Sequence, residues 1–116
     1  MFIFQDLSNW MRDLPESKQS QSITELIIPG SHNSGTFELS KKLPVGPDES
    51  ELVQKLGNNP ILGKLTKSII YRWGKCQHCS IVDQLHLGIR YFDFRIGKVQ
   101  GNFRILHALY LSLIHI

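Results

Sequence analysis

The chain has 116 residues, 41% of them hydrophobic and 20% charged, with a net charge of +3. That length suits one domain with an apolar core and leaves no room for two. The composition favours neither a disordered nor a fibrous class. The Lys and Arg residues are scattered rather than run together, so nucleic acid is not indicated, while a phosphate-bearing partner or an anionic membrane surface is compatible.

The opening Met1-Phe2-Ile3-Phe4-Gln5-Asp6 has neither a basic n-region nor a sustained apolar h-region. This does not read as a secretory signal, which points to a cytoplasmic protein. The longest apolar run, Ile105 to Ile116, is interrupted by His107, Ser112 and His115. It falls short of the roughly 20 residues of a membrane span, so membrane contact is expected to be peripheral.

Leu7, Trp10, Met11 and Leu14 recur at helical spacing before Pro15, which predicts a short amphipathic helix over 6–14 followed by a polar linker to Ser22. Leu26-Ile27-Ile28, closed by Pro29-Gly30, reads as a buried strand of a mostly parallel sheet. Residues 41–60 form a Pro-, Gly- and Asn-rich surface excursion with a short helix at 49–56 and no evident chemistry. A helix over 61–73 follows, then another over 80–87 with Ser80 as N-cap and Gly88 as stop.

Residues 89–96 form the clearest strand, with Asp93 and Arg95 on one face and Phe92, Phe94 and Ile96 on the other. Gly97 to Gly101 predicts a turn, and 103–110 another strand. Cys76 and Cys79 are the only cysteines. With His78 and His86 they could be nominated as zinc ligands, but a second ligand pair at fixed spacing is missing, so two reduced thiols are expected.

Chemistry concentrates in three places. Gly30-Ser31-His32-Asn33-Ser34-Gly35 is an all-polar loop between glycines that follows a predicted strand, the usual construction of a site loop. Asp93 and Arg95 place a carboxylate and a guanidinium on one strand face, where a structural ion pair is the competing reading. His107 ends the next predicted strand. His78, His86 and His115 read as structural.

These pieces resemble, in order, the X domain of phosphatidylinositol-specific phospholipase C. Asn9-Trp10-Met11 with Leu14-Pro15 resembles the family's opening, and Ile28 to Ser34 its first histidine loop. Ser80-Ile81-Val82-Asp83-Gln84-Leu85 with Gly88 to Arg95 resembles its second strand, and His107-Ala108-Leu109-Tyr110 its second histidine segment. The resemblance implies an α/β fold, the front portion of a distorted TIM-type barrel, whose full form needs about 250 residues. The domains are then a helix and linker over 1–22, a partial X domain over 23–110 and an atypical tail over 111–116. The family continues with glycine after the tyrosine, so the tail reads as non-native and the chain as a fragment.

The resemblance also implies a phosphoric diester hydrolase cleaving a phosphoinositide into diacylglycerol and an inositol phosphate. His32 would be the general base, His107 the general acid and Arg95 the cation for the phosphoryl oxygens, with Asp93 orienting Arg95 or a substrate hydroxyl. Calcium-dependent relatives carry an acidic residue where Arg95 stands, so metal independence is expected, with no cofactor. Asn33 matches the calcium-dependent branch instead, and is expected to bind substrate or orient a neighbour by hydrogen bonding. A carboxylate fixing the tautomer of His32 is expected beyond residue 116. The alternatives are a phosphoinositide-binding pseudo-enzyme or an inactive fragment. A glycerophosphodiester-type barrel would want a Glu-x-Asp pair at Asp93-Phe94-Arg95 and fits worse.

Overall fold

Four short helices and five short strands make up a mixed helix and strand architecture in the computed structural model, which describes residues 6–112. The helices are α1 (Glu16–Gln19), α2 (Glu51–Gly57), α3 (Gly63–Gly74) and α4 (Ile81–His86). The strands are β1 (Gly30–Ser31), β2 (Tyr91–Phe92), β3 (Ile96–Val99), β4 (Asn102–His107) and β5 (Leu109–Tyr110).

Local chemistry sets most of these limits. Ser50 Oγ accepts the Val53 amide at the start of α2. Ser80 and Asp83 form a capping box that starts α4, and Gly88 ends its exit turn at φ +92°. Helices α2 and α3 approach closely because Gly63 has no side chain: a Cβ there would stand 2.6 Å from the Gly57 carbonyl oxygen. Strands β3 and β4 form an antiparallel hairpin turned by Gln100 and Gly101, both at positive φ, as a tight two-residue hairpin requires.

Several expectations are corrected. Residues 6–14 form successive turns, not a helix, because their backbone is tied elsewhere: the Leu7 amide donates to His86 O, and Arg90 donates to Leu7 O and Ser8 O. Residues 26–28 are not a strand, and Ile27 is 97% exposed. Pairing starts two residues later, where β1 runs parallel to β2 with Gly30 opposite Tyr91. The strand expected over 89–96 is interrupted at 93–95, where Asp93 turns its backbone to Ser34, and β3 occupies most of the expected turn at 97–101. The strand expected over 103–110 reverses at Ala108, φ +60°, so that β5 folds back antiparallel on β4.

The apolar interior is modest. Leu39, Val45 and Leu109 form one buried cluster against Val53, Ile70 and Tyr71, and Val99, Leu106 and Tyr110 form a second. The radius of gyration is 17.7 Å, against about 13 Å for a compact 100-residue domain. Ile61, Leu65, Ile69 and Trp73 on and before α3 remain exposed. Of the expected tail, Leu111 is buried with its amide on Ile105 O, and Ser112 is held by Glu38 O. His115 lies outside the described residues.

Candidate active site

The histidine loop is braced from three directions. Ser34, fully buried, donates its hydroxyl to Ser31 O and receives the Asp93 amide, while its own amide donates to Asp93 O. Gln84, buried on α4, donates to Ser34 O and Cys79 O, and its Oε1 lies 2.6 Å from Ser31 Oγ. Thr36 donates to Asn33 O and receives the amides of Cys76 and Gln77. Gly35 is needed for the loop to lie against β4, because a Cβ there would meet Ile105 at 2.6 Å.

This bracing leaves His32 and Asn33 at the front. Asn33 adopts φ +49°, a conformation asparagine tolerates better than most residues. His32 Nδ1 stands 2.8 Å from Asp93 Oδ2, and the same oxygen accepts the Asn33 amide at 3.2 Å. The Asn33 amide hydrogen bond, helped by the charges of His32 and Arg95, holds the Asp93 carboxyl below its ordinary pKa of 3.8. Asp93 is therefore an anion at neutral pH. It places the Nδ1 proton of His32 and leaves Nε2 as an acceptor.

Asn33 Nδ2 lies 2.9 Å from His32 Nε2 and 3.3 Å from His107 Nε2. His107 Nδ1 lies 3.1 Å from Gly74 O, a partner that only accepts, so the network assigns His107 the same tautomer as His32. Two imidazoles thus offer Nε2 lone pairs to one amide group. Its other atom, Asn33 Oδ1, is buried without a hydrogen-bond partner among the described residues. His32 itself is 73% exposed and opens onto a pocket of about 360 Å³ lined by Gly30, Ser31, Tyr91 and Asp93.

Of the residues singled out in the sequence, His32, Asn33, Asp93 and His107 fall in one hydrogen-bond network. Arg95 stands beside it: its guanidinium is 3.9 Å from Asp48 Oδ2 and its charge reaches Asp93. The ion pair considered between Asp93 and Arg95 is replaced by two separate ones, with His32 and with Asp48. Within the described residues, Asp93 sets a carboxylate against His32. Among the described residues, no cluster of three His, Cys, Asp or Glu side chains is arranged to hold a metal, and Cys76 and Cys79 are unbonded thiols.

Three participants were not assigned to this site from the sequence. Asp48 sits in the excursion read as devoid of chemistry, yet it touches both Arg95 and the Ala108 amide. Cys76 Sγ lies 3.5 Å from Asn33 Nδ2, and Gln77 Nε2 donates to His32 O.

Known proteins resemble this chain along most of its length. The chain is 42% identical over 91 residues to human PI-PLC X domain-containing protein 3, 78% of this chain and 28% of that protein. It is 35% identical over 95 residues to human PI-PLC X domain-containing protein 2, covering 82% and 30%. The chain belongs to the PI-PLC X domain-containing proteins. Human PI-PLC X domain-containing protein 1 is 34% identical over 104 residues, covering 89% of this chain and 32% of that one. The chain thus spans about a third of the length of these relatives or less. No family model matches it, and no solved structure does.

Proposed function

We propose that this chain carries the histidine half of a phospholipase C-type site, and that it folds as the front of a distorted TIM-type barrel. One observation supports this most: His32 Nε2 and His107 Nε2 both face the amide nitrogen of Asn33, while Asp93 fixes the tautomer of His32. General acid-base catalysis needs such a pair of nitrogens, one free to take a proton and one able to supply it.

In this reading His32 Nε2 accepts the proton of the inositol 2-hydroxyl as its oxygen bonds to phosphorus. The bond from phosphorus to the diacylglycerol oxygen breaks, and His107, entering the cycle as imidazolium, protonates that oxygen through Nε2. A cyclic inositol phosphate and diacylglycerol result. Protonating His107 turns its Nε2 into a donor for the leaving oxygen, while Asn33 Nδ2 keeps facing the His32 acceptor. Arg95 offsets charge on the phosphoryl oxygens. Its guanidinium also acts on Asp93, which opposes a divalent cation on the same carboxylate and supports metal-independent turnover.

The substrate would be met at a membrane face by peripheral contact in the cytoplasm. Among the described residues, no helix is long and apolar enough to cross a membrane. A second reading, phosphoinositide binding without turnover, is favoured by the exposure of His32, since catalytic electrostatics work best where water is excluded. Mixed vesicles containing phosphatidylinositol decide between them. Release of a cyclic inositol phosphate by the wild-type chain and not by His32→Ala is the expected result. Vesicle binding without any product favours the second reading.

A further inference from the structure

We propose that Asp48 is a positioning residue that ties the turn carrying His107 and the guanidinium of Arg95 to a single carboxylate oxygen, an assignment that rests on the phospholipase reading above. Asp48 Oδ2 accepts the Ala108 amide at 2.9 Å and lies 3.9 Å from Arg95 Nη1. Its side chain is only 21% exposed. The next peptide unit is held too: Gly46 donates its amide to Ala108 O at 2.7 Å, and Val45 bridges to Leu109. The backbone of Ala108 is thus gripped on its N–H and its C=O by one four-residue segment.

That grip has a physical purpose. Ala108 sits at φ +60°, where the Cβ of an L-residue crowds the backbone, and such a conformation persists only when the surroundings over-determine it. The residue immediately before it is His107, whose ring is anchored by Gly74 O. Ring and following peptide are therefore fixed independently, and together they aim Nε2 at Asn33. Glycine at residue 46 leaves the carboxylate room in this orientation. A Cβ there would stand 2.6 Å from Asp48 Oδ1 and 3.0 Å from Leu106 Cδ1.

Arg95 gains from the same oxygen. Its side chain is half exposed and donates no side-chain hydrogen bond within the described residues, so the Asp48 carboxylate is what restrains it. A contact of 3.9 Å leaves the guanidinium's N–H groups available to an anion. Asp48 thereby sets the cation and the acid histidine at a fixed relation to each other, from a loop 60 residues away in sequence from Ala108.

Two variants of the full chain separate the two contacts. Asp48→Asn keeps an acceptor for the Ala108 amide but removes the charge facing Arg95, whereas Asp48→Ala removes both. Amide hydrogen exchange read by NMR should accelerate at Ala108 by about tenfold in Asp48→Ala and stay near wild type in Asp48→Asn. The ring ¹⁵N shifts of His107 should move in the alanine variant while those of His32 stay. Turnover of phosphatidylinositol should fall in both, in Asp48→Asn through kcat with little change in KM. Unchanged Ala108 exchange in Asp48→Ala, or full turnover in either variant, overturns the proposal. A wild-type chain with no turnover would overturn the phospholipase reading, and the exchange and ring shifts would still decide whether Asp48 holds the turn.

Discussion

Asp93 Oδ2 stands 2.8 Å from His32 Nδ1 while accepting the Asn33 amide, so one carboxylate oxygen fixes both the ring of the proposed base and the backbone that presents it. Asp93→Asn preserves the shape of the side chain and removes its charge. It should lower phosphatidylinositol turnover by about two to four orders of magnitude, by loss of the correct tautomer and of the charge that stabilises an imidazolium. Steady-state kinetics with the ¹⁵N shifts of His32 test this, and near-normal turnover would remove Asp93 from the site.

The same anion makes stability depend on pH. The folded carboxyl is held below 3.8, so the unfolded chain binds the proton more readily. Its stabilisation is fully present above the unfolded pKa and disappears as pH falls through the lower folded value. Denaturation between pH 2 and 6 should show an acid-side loss of stability that is smaller in Asp93→Asn. An identical pH profile in the two proteins would contradict it.

Gln84 is 3% exposed and satisfies two backbone carbonyls, those of Ser34 and Cys79. Removing it in Gln84→Ala strands buried acceptors, and should cost about 1–3 kcal/mol. Chemical denaturation measures the loss, and the turnover of the remaining folded protein should fall as the histidine loop loosens. A change within about 0.5 kcal/mol would mean that water replaces the amide without penalty.

Gly35 separates the histidine loop from Ile105 on β4. Gly35→Ala places a methyl group 2.6 Å from Ile105 Cγ2, inside a contact that must open. The expected destabilisation is about 1–3 kcal/mol. The separation of the two histidines should also change, which kinetics would register as a fall in kcat larger than the unfolded fraction explains.

Metal independence is checked directly. Turnover should survive excess chelator if, as proposed, the Arg95 guanidinium offsets the phosphoryl charge. A large loss restored by added calcium would reverse that part of the proposal.

Signals confined to a few neighbouring residues were legible in the sequence. Ser80 and Gly88 bound α4 as their chemistry dictates, and the polar loop around His32 was conspicuous between its glycines. What depended on distant partners was not. The apolar run at 26–28 looked like a strand, yet its neighbours do not pair there and Ile27 faces solvent. Leu7, Trp10 and Leu14 carried helical spacing, yet Trp10 Nε1 donates to Gly88 O and Arg90 takes the nearby carbonyls. Asp48 was the most hidden: an aspartate after Pro47 reads as turn chemistry, and only the fold brings it to Ala108 and Arg95.

The parallel pairing of β1 with β2 has a consequence for the order of folding. The β1–β2 ladder has two residue pairs, Gly30 with Tyr91 and Ser31 with Phe92, and with the Ser34–Asp93 hydrogen bonds beside it closes a loop of some sixty residues, whereas the β3–β4 hairpin closes through a two-residue turn. Local contacts form early and long closures carry their entropic penalty first. The hairpin that carries His107 should therefore form ahead of the loop that carries His32, and native-state exchange should find the His32 loop opening at lower free energy than β4. The two proposed catalytic histidines then belong to units of different persistence, and the chain assembles its site by docking the weaker one onto the stronger.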